Sequence, residues 1–320
     1  MKAFEVLQRG ALTTIQDLGR FGYQRYGVSL CGAMDKFALR VGNLLVGNCH
    51  EGEAALEITL LGPKLRALAD LQVSFTGADL SPRINGQLVP LWHCLSVHAD
   101  DVISFGPSNS GCRAYLCVFG GIDVPLTMGS RSTHTRAALG GFGRAMQKGD
   151  VVSVRDCGVD DYHFLSSNQL SPEMIPIYTD HLTVRALRGP QDDYFTAEGL
   201  QTFWRKEYTV SSESDRMGYR LQGPKIQHSF GADIITDATP PGSVQVPGDG
   251  MPIILLADSQ TTGGYPKIAV VTSTDQDRLA QVRPGDRIRF EEVNISQAHQ
   301  LLMDMENAIR AIRKSMMLLT

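Results

Sequence analysis

Residues 252–271 read PIILLADSQTTGGYPKIAVV, and the fold class turns on how that stretch is parsed. IILLA and KIAVV are short apolar runs, and the polar, glycine-bearing segment between them reverses the chain. That is the pattern of two strands joined by a loop, here expected to be a hairpin. The connector LADSQTTGGYP, residues 256–266, carries more chemistry than a turn requires. Its glycines suffice to turn the chain; Asp258, Gln260, Thr261, Thr262 and Tyr265 add donors and acceptors that strand pairing does not use. A loop anchored on strands at both ends can hold such groups in place around a small amide, urea or lactam.

The same strand signature recurs outward from this stretch, in LQVSFTG, DDVISFG, AYLCVFGG, VVSVRD, LTVRALRG and RIRF, punctuated by 32 glycines and 15 prolines. Their density predicts a mainly β chain of barrels or sandwiches with few helices. One helix is expected after Asp35, which can cap it, with Phe37, Val41, Leu44 and Leu45 on one face and Gly47 ending it. A second is expected after Asp192, with Tyr194, Phe195, Leu200 and Phe203 apolar. A third runs from Ser296, where Leu301, Leu302, Met305, Ile309, Ile312 and Met316 form a stripe expected to dock on its own domain.

The polar, proline-containing stretch from Gly158 to Asp180 is the linker candidate, which divides the chain into units 1–160 and 181–320 around residues 161–180. The halves echo each other in order: Val28-Ser29 with Met34 against Val210-Ser211 with Met217, LLGPKL (60–65) against LQGPKI (221–226), and KGDVVSV (148–154) against PGDRIRF (284–290). This points to duplication of one β unit, although recurrent Gly-Pro and Gly-Asp turn chemistry gives the same echo.

The chain's 320 residues are 42% hydrophobic and 20% charged, with a net charge of -4. That balance provides no general attraction to nucleic acid or an anionic membrane. No apolar run reaches the roughly 20 residues of a membrane helix, and the first residues lack a signal-peptide core, so a cytoplasmic location is expected. Six cysteines without CxxC pairs read as free thiols. No HExxH or Cys/His ladder is present, so no metal site is expected and His93 and His98 read as packing or surface residues.

Three further clusters are candidates. Gln16, Asp17 and Arg20 lie in a glycine-rich run that can serve a ligand or a structural loop, and Cys31 nearby is a minority candidate for a nucleophile. The GGFG piece with Arg131, Arg136 and Arg144 can form an anion nest, but it is no phosphate loop. Arg216 and Arg220 can fork onto a carboxylate or phosphate, with ion pairs to Glu213 or Asp215 as the equally weighted alternative.

The runs TTIQDLGRFGYQRYGVSLCGAMD, GGIDVPLTMGSRST, RMGYRLQGP, VQVPGDGMPIILLADSQTTGGYPKIA and LAQVRPGDRIRF together resemble the biotin-dependent carboxyltransferase-like family. That family, also called allophanate hydrolase subunit 2, includes 5-oxoprolinase subunits, the Kip antagonist protein and a segment of urea carboxylase. The resemblance runs from about Gly10 to Phe290 and implies two cyclophilin-like β-barrel units. The chain looks most like the 5-oxoprolinase branch, since it has no fused biotin carboxylase and its only Met-Lys is Met1-Lys2, so no covalent biotin is expected. The resemblance implies ATP (with Mg) as co-reactant, bound here or at a partner. The partners implied are homologues of the A and the Kip-inhibitor-like B subunits.

The reaction implied is the opening of 5-oxoproline to glutamate. ATP is expected to activate the inert lactam oxygen, which leaves positioning and charge stabilisation to the protein. Side-chain chemistry assigns Asp258, Gln260 and Thr261 to catalysis: Gln260 and Thr261 on the lactam oxygen, Asp258 on an N–H or a water. Gln245, Thr262, Gly264, Tyr265, Arg216 and Arg220 are assigned to substrate binding. A regulatory binding protein of the Kip antagonist type, or a carboxyltransferase acting on a urea-like amide, are the alternatives.

Overall fold

A computed structural model describes residues 1–156 and 168–317. Cys157 and residues 158–167 of the expected linker lie outside the described residues. The chain is mainly β and divides into two compact units. The first comprises Met1–Arg20, Cys31–Tyr178 and Asn307–Thr320; the second comprises Phe21–Leu30 and Thr179–Glu306.

The first unit holds two sheets. One has six strands in the order Val151–Ser153, Lys2–Gln8, Lys64–Ala67, Val102–Ser104, Arg83–Ile84 and Gln87–Leu88. The other has five, in the order Leu12–Gln16, Ala55–Thr59, Ser110–Val118, Leu71–Asp79 and Cys94–Val97. Phe4, Ile15, Leu56, Val73, Phe75 and Leu116 are central to one apolar core drawn from both sheets. Helix α1 (Lys36–Leu45) packs on the five-stranded sheet, where Thr76 and Ser74 donate to the carbonyls of Ala38 and Gly42 at 2.7 and 2.8 Å. Asp35 caps α1 by accepting from the Ala38 N–H at 2.8 Å, and Gly47 follows its end with φ 79°, both as the sequence predicts.

The second unit closes into a barrel of seven strands: His181–Arg188, Lys267–Val271, Ser243–Gln245, Ile253–Leu255, Gly218–Gln222, Glu207–Val210 and Arg287–Glu292, the last pairing parallel to the first. Alternation sends Leu182, Val184, Ala186, Ile288 and Phe290 inward. The second expected helix begins later than Asp192: residues Asp192–Tyr194 make one 3-10 turn, and α2 (Ala197–Arg205) starts after a Thr196 cap. Phe203 of α2 stacks on Phe290 with ring centroids 4.3 Å apart.

Helix α3 (Ser273–Leu279) was not predicted, because STDQDRL has no apolar face. It is held by Asp275, which is fully buried and accepts from the Arg185 backbone N–H at 2.7 Å and from the Arg185 guanidinium. The tail helix α4 (Ile295–Met317) forms as expected, but its stripe is buried only toward the end. Ile309, Ile312 and Met316 are buried and Arg313 donates to Glu51 at 2.6 Å, all within the first unit, whereas Leu302 is exposed.

The internal echo has a structural counterpart at the Gly-Asp turns. Gly149 donates to the Val6 carbonyl and Gly285 to the Val210 carbonyl, each at 2.8 Å. Val6 and Val210 in turn donate to the carbonyls of Asp150 and Asp286, each at 2.9 Å. The Asp150 and Asp286 carboxylates accept from the N–H groups of Gln147 and Arg283 at 2.7 and 2.8 Å. Both glycines take positive φ, 87° and 94°. A chance reuse of Gly-Asp would match the turn; matching the strand it is sewn to, bond for bond, supports duplication.

Candidate functional site

The 256–266 connector is not a hairpin turn. Its flanking strands, Ile253–Leu255 and Lys267–Val271, are not paired with each other, because Ser243–Gln245 lies between them and pairs antiparallel with both. The loop is therefore an arch over the end of the middle strand, and Gln245 comes up beneath it. Gln245 Nε2 donates to the Tyr265 carbonyl at 3.2 Å, and a Cβ on Gly263 would stand only 2.6 Å from that nitrogen.

The arch is fixed by its own carbonyls. Thr239 Oγ1 donates to the Gln260 carbonyl at 2.8 Å and the Thr239 N–H to that of Thr261 at 3.0 Å. Ser29 Oγ reaches the Ser259 carbonyl at 2.7 Å, and the Ile234 N–H reaches that of Gly264 at 2.8 Å. Thr262–Gly263 pairs with Asp237–Ala238 as a two-stranded ribbon. With the main chain so committed, the side chains of Gln260, Thr262 and Tyr265 are exposed and that of Thr261 is half-buried.

Asp258 is not offered to the surface. It is buried and its carboxylate is held in bidentate fashion by Arg216, from Nε at 2.9 Å and Nη2 at 2.8 Å. The Asp258 N–H also donates to the Arg216 carbonyl at 3.0 Å, extending the pairing of Gly218–Gln222 with Ile253–Leu255. Arg220 is not brought to the arch with Arg216. It lies on the outward face of its strand, exposed, with Glu213 at 3.9 Å.

A cation that the sequence reading passed over does stand at the arch. Lys267, the first residue of the exit strand, is paired with Gln245 across the ladder, at a shift in the register that follows Val244. Lys267 is buried, yet its Nζ lies 2.7 Å from Oδ2 of Asp237, which is exposed. Gln191 ties the pair together, donating to Asp237 at 3.3 Å and accepting from the Lys267 N–H at 3.2 Å. The available signal was a lysine opening an otherwise apolar strand.

The family model for the carboxyltransferase domain, subdomain A and B, matches residues 26–292. The chain belongs to that family. It is 40% identical over 311 residues to the C subunit of 5-oxoprolinase from Haemophilus influenzae, covering 97% of each chain. It is 37% identical to the C subunit of 5-oxoprolinase from Escherichia coli, covering 94% of this chain and 95% of that one. The crystal structure of K. lactis urea amidolyase superposes with a TM-score of 0.90 at 32% identity over 97% of this chain, which spans 20% of that larger protein.

In this carboxyltransferase-domain chain the first-unit candidates are engaged by the fold's own groups, while Gln16 Oε1 and Arg20 Nη1 are buried without a hydrogen-bond partner among the described residues. Asp17 accepts from Ser130 Oγ at 2.7 Å, from the Gly19 N–H at 2.8 Å, from the Arg131 N–H at 2.6 Å and from Ser132 Oγ. Arg20 is fully buried, donating to the carbonyls of Thr127 at 3.0 Å and Ser132 at 2.8 Å, and Gln16 donates to that of Thr133 at 3.0 Å. Of the expected nest, Arg144 is bidentate to Asp150, and Arg131 stands 3.6 Å from Asp123. Cys31 is buried at φ 55°. Sequence reasoning also missed Glu57, buried against the Tyr115 hydroxyl at 2.7 Å; burial first, then the Glu57 charge, pushes that phenol well above its usual range.

Among the described residues no three His, Cys, Asp or Glu side chains converge to hold a metal ion, and the sequence has no Walker-type loop. A pocket of about 550 Å³ is lined by Lys225–Ala232 and Gly248–Gly250, and contains none of the expected site residues. No helix among the described residues is long and apolar enough to cross a membrane.

Proposed function

We propose that this chain is the C-type subunit of an ATP-dependent 5-oxoprolinase, which opens 5-oxo-L-proline to L-glutamate with partner subunits. The observation that carries this reading is the near full-length likeness to two bacterial 5-oxoprolinase C subunits. The arch adds chemical support: a rigid loop presenting an amide, two hydroxyls and a phenol suits a small, neutral, cyclic amide.

In this reading water adds to the ring carbonyl carbon, the C–N bond breaks, and the nitrogen takes a proton to become the amine of glutamate. Gln260 and Thr261 hold the carbonyl oxygen as charge develops on it. Thr262, the Gly264 backbone and Tyr265 line the ring's contact surface, and Gln245 supports the arch from below. Asp258 serves through its ion pair with Arg216, which fixes where the arch begins, rather than as a free base. ATP is supplied at this chain or at a partner subunit.

The partners proposed are of the A and the Kip-inhibitor-like B types. Phe230, Ile235 and Tyr265, exposed at 86%, 93% and 41%, support a contact with another protein. A second reading, carboxyl transfer to a urea-like amide, draws on the urea amidolyase fold match.

The test is reconstitution of the chain with its A-type and B-type partners and an assay of glutamate release from 5-oxoproline with and without ATP. ATP-dependent release that is lost in Gln260→Ala is the expected result. Absence of release, with carboxylation of urea when a biotin carrier is added, would move the assignment to the second reading.

A further inference from the structure

Neither arginine expected at the arch is available there for an anion, since Arg216 is committed to Asp258 and Arg220 is exposed on the outward face. 5-Oxoproline nevertheless carries a carboxylate that a selective site must recognise. We propose that Lys267 is the residue that binds that carboxylate, with Asp237 holding the ammonium in place beneath the arch. This rests on the 5-oxoprolinase reading and deepens it by naming the group that distinguishes 5-oxoproline from a plain lactam.

Four observations converge. Lys267 is buried along its whole side chain, only 3% exposed, so its ammonium is held at one spot instead of sweeping through solvent. The spot lies at the arch: Asp237, which receives Nζ at 2.7 Å, is paired in register with Gly263 of the loop, and Lys267 is paired with Gln245 beneath it. Asp237 shows that a carboxylate oxygen fits against this ammonium, and an ammonium has three donors, of which Asp237 engages one. Finally, Asp237 is half-exposed at 49% while Lys267 is not, so a ligand carboxylate reaches the ammonium from the solvent side only by passing or displacing Asp237.

The mechanism makes opposite predictions for the two members of the pair. Removing the ammonium deletes the attraction for the ligand's carboxylate. Removing the Asp237 charge deletes a like charge within a few ångströms of where that carboxylate would sit, and leaves the cation to the ligand. A purely structural ion pair would give losses of the same sign from either side.

The experiment uses the reconstituted complex, with glutamate release measured against 5-oxoproline concentration and binding of 5-oxoproline measured separately by calorimetry. Lys267→Met, which keeps the stem, should weaken 5-oxoproline binding and raise its KM by roughly tenfold or more, with a smaller change in kcat. Asp237→Asn should tighten binding by about threefold. 2-Pyrrolidinone, which lacks the carboxylate, should compete equally well against wild type and Lys267→Met.

If wild type releases glutamate and both variants keep its KM, the Lys267 assignment fails and the 5-oxoprolinase reading stands. If wild type binds 5-oxoproline in a Lys267-dependent manner without releasing glutamate, the assignment stands and the reading of the reaction fails. Neither binding nor release overturns both. Should Lys267→Met not assemble, Asp237→Asn decides: weakened or unchanged binding overturns the proposal.

Discussion

Arg216 and Asp258 clasp each other through two parallel N–H to carboxylate bonds, at 2.9 and 2.8 Å, with both side chains almost entirely out of water. They sit where two paired barrel strands run out, and the 256–266 arch starts at one of them. Such a pair is costly to break from one side, since the surviving charge stays buried without its partner.

Asp258→Ala should therefore destabilise the protein by about 3–5 kcal/mol. The double variant Arg216→Met with Asp258→Leu, which buries no charge, should recover much of that loss. Urea unfolding of wild type, the single variant and the double variant checks the ordering; a double variant less stable than Asp258→Ala would contradict it. Both should lose turnover, because the arch is no longer fixed at its start.

The Asp237 carboxyl lies below the usual carboxylate range, chiefly because Lys267 donates to it, with the Ala238 N–H next. A depressed folded value means that its contribution to stability is present above the unfolded value of about 3.9 and fades as the pH falls through the lower folded one. Carbon-13 NMR titration should place the Asp237 midpoint below that of an ordinary aspartate. In Lys267→Met the midpoint should return toward it.

Gly42 of α1 faces Cys117 on the sheet, and a Cβ at that position would lie 2.6 Å from the sulfur and 3.0 Å from Thr76 Oγ1. Gly42→Ala gains helix propensity but must push α1 off the sheet. The balance should be a loss of about 1–3 kcal/mol, visible as a lower thermal midpoint. The same change paired with Cys117→Ala should restore part of it.

Burial pushes the Cys94 thiol up to about 12 and that of Cys117 higher still, so neither forms thiolate near neutrality. Cys49 is exposed. Alkylation of the native protein, mapped by mass spectrometry, should label Cys49 quickly and leave Cys94 and Cys117 unmodified until denaturant is added. Rapid labelling of Cys117 would show that α1 opens from the sheet.

Much of the architecture was legible in the chain's local patterning. Apolar runs bounded by glycine and proline mark strands such as Leu71–Asp79, Ser110–Val118, His181–Arg188 and Lys267–Val271, but not short or polar ones such as Gln87–Leu88 and Thr262–Gly263. Asp35 with Gly47 brackets α1, because capping is a short-range hydrogen-bond problem solved by adjacent residues. The stripe of α4 was legible as well, but not which unit would take its end: an amphipathic face records that it must be buried and carries no address. Helix α3 was invisible because its anchor, Asp275, is paid for by Arg185, ninety residues away in the chain.

The site divides along the same line. By itself the sequence determined that residues 256–266 carry a polar surplus between two strands and that the chain resembles a carboxyltransferase-like family, since composition and spacing are local properties. Only the tertiary structure decided that Ser243–Gln245 separates those strands and turns a hairpin into an arch. It alone matched Arg216 to Asp258 instead of to its sequence neighbours, left Arg220 in solvent and brought Lys267 to Asp237. Strand order and the burial of charges are set by which distant segments compete for the same hydrogen bonds and the same dry space, and that competition is resolved only when the barrel closes.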